Sequence, residues 1–223
     1  MEISVKDVPT FVFFTAAAIL ALDPQHRIIR RMFFPSMQTN KIGFFHPFTQ
    51  DGGGGERVLW SMIRALQEFM PFVEMVVFTS EAATSEELIS QARKKFGIKL
   101  LRDVEVVHLP HAWLVRASTW PRFTLLGQAM GAFAVMWLAM RRCVPRVLVD
   151  TGAPEHAFGY PVANFAGAWP VCYTHYPFVS TDMIARVKGR AEMYNNQGQV
   201  ARSWWRTLVK LWYYRCVALL YWV

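Results

Sequence analysis

Beyond about residue 32, short apolar runs alternate with longer stretches in which apolar residues recur every three or four positions. The short runs are typical of buried strands, and the longer spacing is typical of amphipathic helices. Strands are predicted at Lys41–Phe48, Phe72–Thr79, Val104–Leu109, Arg146–Asp150 and Trp169–Thr174. Helices are predicted at Glu56–Phe69, Ser85–Phe96, Phe123–Arg142 and Thr181–Gly189. This alternation predicts an α/β fold, a Rossmann-like parallel sheet with helices on both faces.

Two of these helices have boundary or face signals that the structure can test. The apolar face of the first is predicted to comprise Leu59, Met62, Ile63, Leu66 and Phe69. Ser85 is the predicted N-cap of the second helix, with Glu86 and Glu87 in its first turn. Gly97 is predicted to end that helix, because glycine adopts the left-handed conformation of a C-terminal cap.

The stretch Phe123–Met140 has two interpretations. Its 18 residues contain no charged side chain, so it passes the length test for a membrane span. It also lies where a crossover helix is needed before the strand Arg146–Asp150, and a span would place that strand on the wrong side of the membrane. A buried or membrane-dipping crossover helix is favoured, with a span as the alternative.

Both ends of the chain contain segments suited to a membrane. Val8–Leu22 is largely apolar and is followed by positive charge at Arg27, Arg30 and Arg31. This order predicts a signal anchor within residues 1–32 that leaves the following chain in the cytosol; the alternative is a short helix that is docked on the domain or lies in the membrane interface. Ser203–Val223 mixes Trp and Tyr with Arg and Lys, which predicts a helix at a membrane surface or one packed under a partner domain. Arg186–Arg202 is predicted to be a polar loop.

The composition limits the kinds of partner that this chain is expected to bind. The formal net charge is +8, and aromatic residues make up 15% of the 223 positions. Positive charge favours anionic lipid or phosphate-bearing partners, and Trp and Tyr concentrate at membrane interfaces. Nucleic acid is not expected as a partner, because the chain has no dense Lys/Arg run and no zinc-finger or RNA-binding signature. The three scattered cysteines argue against a disulfide framework and for a reducing compartment.

The strongest local signal is four consecutive glycines, Gly52, Gly53, Gly54 and Gly55, between the strand Lys41–Phe48 and the next helix. A strand, a glycine-rich turn and a helix N-terminus together can hold a phosphate with bare backbone N–H groups. Arg57 could pair with a phosphate oxygen, and Glu56 could accept from sugar hydroxyls or only complement the helix dipole. A plain flexible turn is the structural alternative.

Three further residues lie at the edge where open α/β sheets bind ligands, two of them after a strand signal and one, Asp150, at the end of a predicted strand. They are His46, Asp150 and His175. Pro177 biases the residue before it away from helix, so His175 is predicted at a strand-to-loop exit. These residues could converge with the glycine loop in one cleft, although a lone histidine is often structural.

Several other sites are disfavoured. His108 and His111 have no third ligand near them in the sequence, so no metal site is predicted. The glycine loop lacks the Lys-Ser/Thr of a nucleotide-binding P-loop. It also lacks the acidic ribose-binding residue of a Rossmann dehydrogenase.

Eight short motifs together resemble a known family. They are His46-Pro47, Gly52–Trp60 (GGGGERVLW), Arg64–Leu66 (RAL), Phe123–Gln128 (FTLLGQ), Cys143–Pro145 (CVP), Thr174–Pro177 (THYP), Ser180–Met183 (STDM) and Tyr194–Asn196 (YNN). In this order they closely resemble the N-terminal half of the endoplasmic-reticulum α-1,2-mannosyltransferases of the dolichol pathway, within glycosyltransferase family 4. The resemblance covers roughly Lys41 to Tyr214.

The resemblance implies the N-terminal domain of a GT-B glycosyltransferase over residues 33–223. It implies GDP-mannose as the donor, a lipid-linked oligosaccharide as the acceptor, and the cytosolic face of the endoplasmic reticulum membrane as the location. It further implies a retaining reaction without metal or cofactor, and it suggests other mannosyltransferases of the pathway as partners. His175 would contact the donor sugar near the reacting carbon, and the glycine loop would lie against donor or acceptor phosphate.

The chain departs from the family pattern in two ways. Thr49-Gln50-Asp51 precedes the glycines, where a less acidic tripeptide is typical. The 223 residues also contain no second Rossmann-like domain, which in such enzymes binds most of the nucleotide. We therefore expect the acceptor half of a mannosyltransferase; the alternative is a truncated, non-catalytic membrane module that needs a donor-domain partner.

Overall fold

The computed structural model describes residues 29–50, 52–151, 154–174, 179–192 and 198–220. Its strands are β1 (Gln38–Phe45), β2 (Glu74–Thr79), β3 (Glu105–His108), β4 (Pro145–Asp150) and β5 (Trp169–Cys172). They form one sheet in the order β3-β2-β1-β4-β5, and every pairing is parallel. The five predicted strands and the parallel sheet are therefore confirmed, although β1 begins and ends three residues earlier than predicted.

Seven α-helices connect or follow the strands in the described ranges. They are α1 (Gly54–Phe69), α2 (Ser85–Phe96), α3 (Thr124–Arg142), α4 (Tyr160–Ala166), α5 (Thr181–Lys188), α6 (Gly198–Ala201) and α7 (Trp204–Leu220). Short 3₁₀ helices lie at Ala112–Val115, Ala117–Thr119 and Pro154–Gly159, and residues 29–33 are helical. The sequence analysis missed α4 and the 3₁₀ helices, and α6 shows that the loop prediction for Arg186–Arg202 was partly wrong.

Helices cover both faces of the sheet, so the doubly wound arrangement is confirmed. Phe45, Val76 and Leu148 belong to one buried core, which α3 and α4 complete. Phe44 and Val77 belong to a second core, which α1 and α2 complete. Successive strand residues thus point to opposite cores, as the two-residue period of a strand requires.

The first two helices correct details of the prediction. α1 begins at Gly54 rather than Glu56, so two of the glycines lie in its first turn. Phe69 is 82% exposed and does not join the apolar face, whereas Trp60 is buried. The N-cap of α2 is Thr84, not Ser85, because Thr84 and Glu87 form a reciprocal capping box. Gly97 ends α2 in the left-handed conformation, as predicted.

The stretch Phe123–Met140 is the crossover helix α3, which contacts the 3₁₀ segment at Pro154–Gly159 and α4. Its two glycines explain how closely neighbours approach, because a Cβ at Gly127 would overlap the Trp120 ring and one at Gly131 would overlap the Leu114 backbone. None of the helices in the described ranges is both long and apolar enough to cross a bilayer. The anchor predicted at Val8–Leu22 lies outside those ranges.

Candidate functional site

Two of the predicted site residues lie side by side at the carboxyl edge of the sheet. Phe45 of β1 is in register with Phe78 of β2 and with Asp150 of β4. The next residue, His46, donates its backbone N–H to the Phe78 carbonyl at 3.1 Å. Its Nδ1 lies 3.0 Å from the Thr151 hydroxyl, and both side chains are buried. The sheet register therefore brings His46 and Asp150 together.

The glycine loop leads from this edge into α1. Gly52 has φ +79°, a conformation that disfavours any side chain, so the turn itself accounts for this glycine. Gly53 is the N-cap of α1 with φ −87°, which any residue could adopt. A Cβ at Gly53 or Gly54 would meet no atom of the described residues within 4 Å. Neither strain nor packing requires these two glycines, and they leave the helix N-terminus uncovered.

Glu56 lies in the first turn of α1 and already occupies part of this loop. Its Oε1 accepts a 2.7 Å hydrogen bond from the Gly52 backbone N–H. The side chain is buried, with 2% of the residue exposed. Its Oε2 has no hydrogen-bond partner in the part of the chain that the structure describes. A buried carboxylate oxygen without a donor is costly, so a hydroxyl or N–H of a ligand would stabilise it.

Positive charge surrounds the same loop. Lys95, at the end of α2, donates from Nζ to the Gln50 carbonyl at 2.7 Å. The same Nζ lies 3.8 Å from the position that a Cβ at Gly52 would take. Arg57 is exposed at the start of α1. These two cations and the helix N-terminus oppose the negative charge of Glu56; the contribution of Lys95 was missed because it comes from a different helix.

The segment before the glycines is fixed to the end of β2. The Thr49 and Thr79 hydroxyls are 3.0 Å apart, and both residues are buried. The Pro47 carbonyl accepts from the backbone N–H and the hydroxyl of Ser80, at 2.9 and 2.7 Å. The base of the loop is therefore held by the protein itself, while its glycines remain open.

Asp150 is fully buried and serves as a hub of hydrogen bonds. Both of its carboxylate oxygens lie 3.1 Å from His156 Nδ1, and Oδ2 accepts from the Tyr160 hydroxyl at 2.9 Å. Burial, with the Asp150 carboxylate beside it, raises the pKa of the Tyr160 phenol, which therefore remains a neutral donor. The Asp150 carbonyl also accepts from the Tyr173 backbone N–H at 2.8 Å. Asp150 thus ties α4 and the exit from β5 to the end of β4.

The remaining predictions divide into those inside and those outside the described residues. His175 lies outside them. His108 Nδ1 lies 3.4 Å from the Glu81 carbonyl, and His111 caps a 3₁₀ helix. Within the described ranges, no group of three or more His, Cys, Asp or Glu side chains is placed to hold a metal ion. His156 and Tyr160 were missed, because they lie in short helices that the sequence analysis did not predict.

Comparisons with known proteins identify a family and several named relatives of this chain. Residues 39–223 match the family model described as ALG11 mannosyltransferase N-terminus. A protein of Dictyostelium discoideum named GDP-Man:Man(3)GlcNAc(2)-PP-Dol alpha-1,2-mannosyltransferase is 40% identical over 81% of this chain and 36% of its own length. Proteins of the same name from Homo sapiens and Caenorhabditis elegans are 40% and 35% identical, over 81% and 96% of this chain.

The chain spans less than half of these curated relatives, since the matched regions cover 37% of the human protein and 45% of the nematode protein. No solved structure matches the chain. The family model nevertheless covers the sheet except for Gln38, together with the glycine loop and the helices on both faces. The chain belongs to the ALG11 mannosyltransferase N-terminus family.

Proposed function

We propose that this chain is the acceptor-side half of a GDP-mannose-dependent α-1,2-mannosyltransferase that extends a dolichyl-pyrophosphate-linked oligomannose. The observation that carries the proposal is the uncovered glycine loop at the N-terminus of α1, on the carboxyl edge of a parallel sheet. Ligands of open α/β sheets bind at this edge. The names of the relatives supply the donor, the acceptor and the linkage.

The loop has separate groups for a phosphate and for a hydroxyl. The first N–H groups of an α-helix have no acceptor within the helix, so those at Gly54 and Gly55 suit a phosphate oxygen. Arg57 and Lys95 add positive charge on the same side. Glu56 Oε2 suits a hydroxyl donor rather than a phosphate, because two anions would repel. This division fits a substrate that joins a sugar to a pyrophosphate.

We propose that His175 contacts the donor sugar near the reacting carbon. The chain leaves β5 at Cys172, and the following Tyr173 is tied to Asp150 by its backbone N–H. His175 therefore comes two residues after a fixed point at the carboxyl edge. In the proposed reaction mannose passes from GDP to an acceptor hydroxyl with retention of configuration, and neither a metal ion nor a cofactor is required.

The proposed location is the cytosolic face of the endoplasmic reticulum membrane. The net charge of +8 and the absence of paired cysteines support a cytosolic site beside anionic lipid. Residues 1–32 are proposed to supply an anchor. Other mannosyltransferases of the same pathway are proposed partners.

A chimera tests this function. Residues 1–223 are joined to the part of the Dictyostelium discoideum relative that lies beyond the matched region, and the product is incubated with GDP-mannose and a dolichyl-pyrophosphate-linked Man₃GlcNAc₂ acceptor. We expect products longer by mannose that an α-1,2-specific mannosidase removes. A folded chimera that binds the acceptor without transferring mannose would favour the non-catalytic membrane module instead.

A further inference from the structure

The outward face of α3 is apolar along its length. The exposed or half-buried positions on this face are Leu126, Met130, Phe133 and Trp137, spaced by four, three and four residues. Met130 is 64% exposed and Phe133 is 49% exposed. The opposite face of the same helix is buried in the core. A helix in a soluble domain ordinarily carries polar residues on its outer face, so this face requires a partner.

The helices on the other side of the sheet carry polar residues along most of their outer faces, although Phe69 at the end of α1 is 82% exposed. The outward positions of α1 include Arg57, Ser61 and Glu68, all exposed. Those of α2 include Glu86 and Lys94. The difference between the two sides of one sheet makes the apolar face of α3 a local property and not a consequence of composition.

Aromatic contacts extend this face at both ends of α3. Near its C-terminal end, the Phe33 and Trp137 ring centroids lie 5.6 Å apart. At its N-terminal end, Phe123 lies 5.8 Å from Tyr213 of α7, whose hydroxyl accepts from the Leu126 backbone N–H. We call Phe33, Phe123, Leu126, Met130, Phe133 and Trp137 the α3 surface. Beside it, α7 exposes a second apolar row comprising Trp205, Leu208, Val209 and Trp212.

The charges of these segments have one sign. No Asp or Glu occurs between Glu105 and Asp150, whereas five arginines do. Arg122 precedes α3, and Arg141 and Arg142 end it; the last two are exposed. No acidic residue follows Glu192, so α7 also carries only positive charge. An apolar stripe with basic flanks and interfacial Trp and Tyr is complementary to an anionic bilayer surface.

We propose that the α3 surface docks on an anionic phospholipid bilayer, with α3 lying flat in the interface. The helix is 19 residues and about 28 Å long, so it would lie along the headgroup region over its whole length. The charge pattern favours lipid over a protein partner. A surface without acidic residues pairs only with negative charge, which an anionic bilayer presents uniformly, whereas protein surfaces carry charges of both signs. This inference does not depend on the proposed function, since docking requires neither donor nor acceptor.

A local fluorescent reporter tests the docking. A cysteine that carries the polarity-sensitive dye NBD replaces Phe133 in the full chain, on a background of Cys172→Ser and Cys216→Ser; the third native cysteine, Cys143, is buried and is kept. Ser61→Cys on the outer face of α1 is the matched control, and Phe72→Cys controls for an exposed phenylalanine, because Phe72 is 93% exposed just before β2. The anchor predicted at Val8–Leu22 would bring every variant to the vesicles, so the readout must be local.

We expect vesicles of phosphatidylcholine and phosphatidylserine to shift the dye at position 133 to the blue and to expose it to nitroxide-labelled acyl chains. The dyes at positions 61 and 72 should change in neither respect. Vesicle-bound protein without a shift at position 133 would overturn the proposal. A blue shift that needs no vesicles and grows with protein concentration would also overturn it, since a second copy would then cover the surface.

The contribution of the basic residues to docking is tested with the same dye-labelled protein. On vesicle-bound protein, Arg141→Gln with Arg142→Gln should lower the ratio of docked to undocked dye at position 133 about fivefold for each charge removed. Lys94→Gln with Lys99→Gln removes the same charge from the other side of the molecule and should leave that ratio unchanged. Equal effects of the two pairs would show that net charge alone attracts the chain and would contradict docking through α3.

Discussion

Glu56→Gln separates a ligand-binding carboxylate from one that only complements a helix dipole. The Glu56 Oε1 accepts from Gly52 at 2.7 Å, and a glutamine oxygen can retain that contact. The substitution removes the charge and replaces the unpartnered, buried Oε2 with a neutral amide group. Any ligand hydroxyl that donates to Oε2 would then face a donor.

The magnitudes make the two roles distinguishable. Losing the dipole interaction costs about 0.3–1 kcal/mol, whereas replacing a buried charge with a neutral amide relieves its desolvation, and one unpartnered polar group takes the place of another. We therefore expect the free energy of unfolding to stay within about 1 kcal/mol of the original value, or to rise. A hydrogen bond from a ligand to a charged group contributes about 1.5–3 kcal/mol. Its loss should lower kcat/KM by about 10-fold to 150-fold.

The assay combines urea unfolding with transfer kinetics of the chimera. Glu86→Gln is the matched control, because Glu86 is also an acid in the first turn of a helix but is exposed, far along the chain from the glycine loop. It should cost about 0.3–1 kcal/mol of stability and leave kcat/KM unchanged. If Glu56→Gln also lowers stability by that amount with no kinetic effect, Glu56 is only a dipole partner and the hydroxyl-binding role is refuted.

Four other predictions concern residues of the candidate site. Gly53→Val should cost at most about 1 kcal/mol of stability, because a Cβ there meets no described atom and valine is only a poorer N-cap than glycine. It should nevertheless lower kcat/KM at least about 10-fold, on the order of one lost charged hydrogen bond; normal kinetics would contradict a phosphate-binding loop. Asp150→Asn should cost about 2–3 kcal/mol in urea unfolding, since it weakens the charged acceptor of His156 and Tyr160; a cost below about 0.5 kcal/mol would deny Asp150 its hub role. The stability advantage of the original chain over Tyr160→Phe should be complete below about pH 10 and shrink above it. The unfolded phenol ionises there while the folded one, with its raised pKa, does not, so a constant difference up to about pH 11 would argue against this linkage. His175→Ala should abolish transfer and leave vesicle binding intact, and unchanged turnover would remove His175 from the mechanism.

The sheet could be predicted because each strand is a short, local apolar run between turn residues. The parallel pairing followed from the alternation of strands with helices, which the sequence shows at each step from β1 to β4; the helix between β4 and β5 was not predicted. The elements that were not predicted are short or depend on contacts between distant segments. The helix α4 has only seven residues and follows a 3₁₀ turn, so its apolar spacing never completes two helical turns.

The position of the site could be predicted from the sequence, but the hydrogen bonds within it could not. Four glycines and the residues after β1 and β4 identified the carboxyl edge, and the sheet register joins them there. Lys95 reaches the loop from α2, and His156 reaches Asp150 across a turn, so neither contact has a sequence signal. The different roles of the glycines could be assigned only from the backbone structure. The turn requires Gly52 because its φ is positive, whereas neither the turn nor packing requires Gly53 or Gly54.

The helix α3 shows why an apolar segment resists assignment from sequence alone. A stretch that is apolar all round can be a buried helix or a membrane span, because hydropathy sums over both faces. In the structure one face of α3 fills a core with Ala132, Val135 and Met136 while the other presents Met130 and Phe133 outward. The absence of charge between Phe123 and Met140 therefore has two causes: one face packs in the core, and the opposite face is an exposed apolar surface. If that surface binds lipid, α1 lies on the side of the sheet that faces away from the bilayer, and the proposed lipid-linked acceptor would have to reach the glycine loop along the carboxyl edge of the sheet.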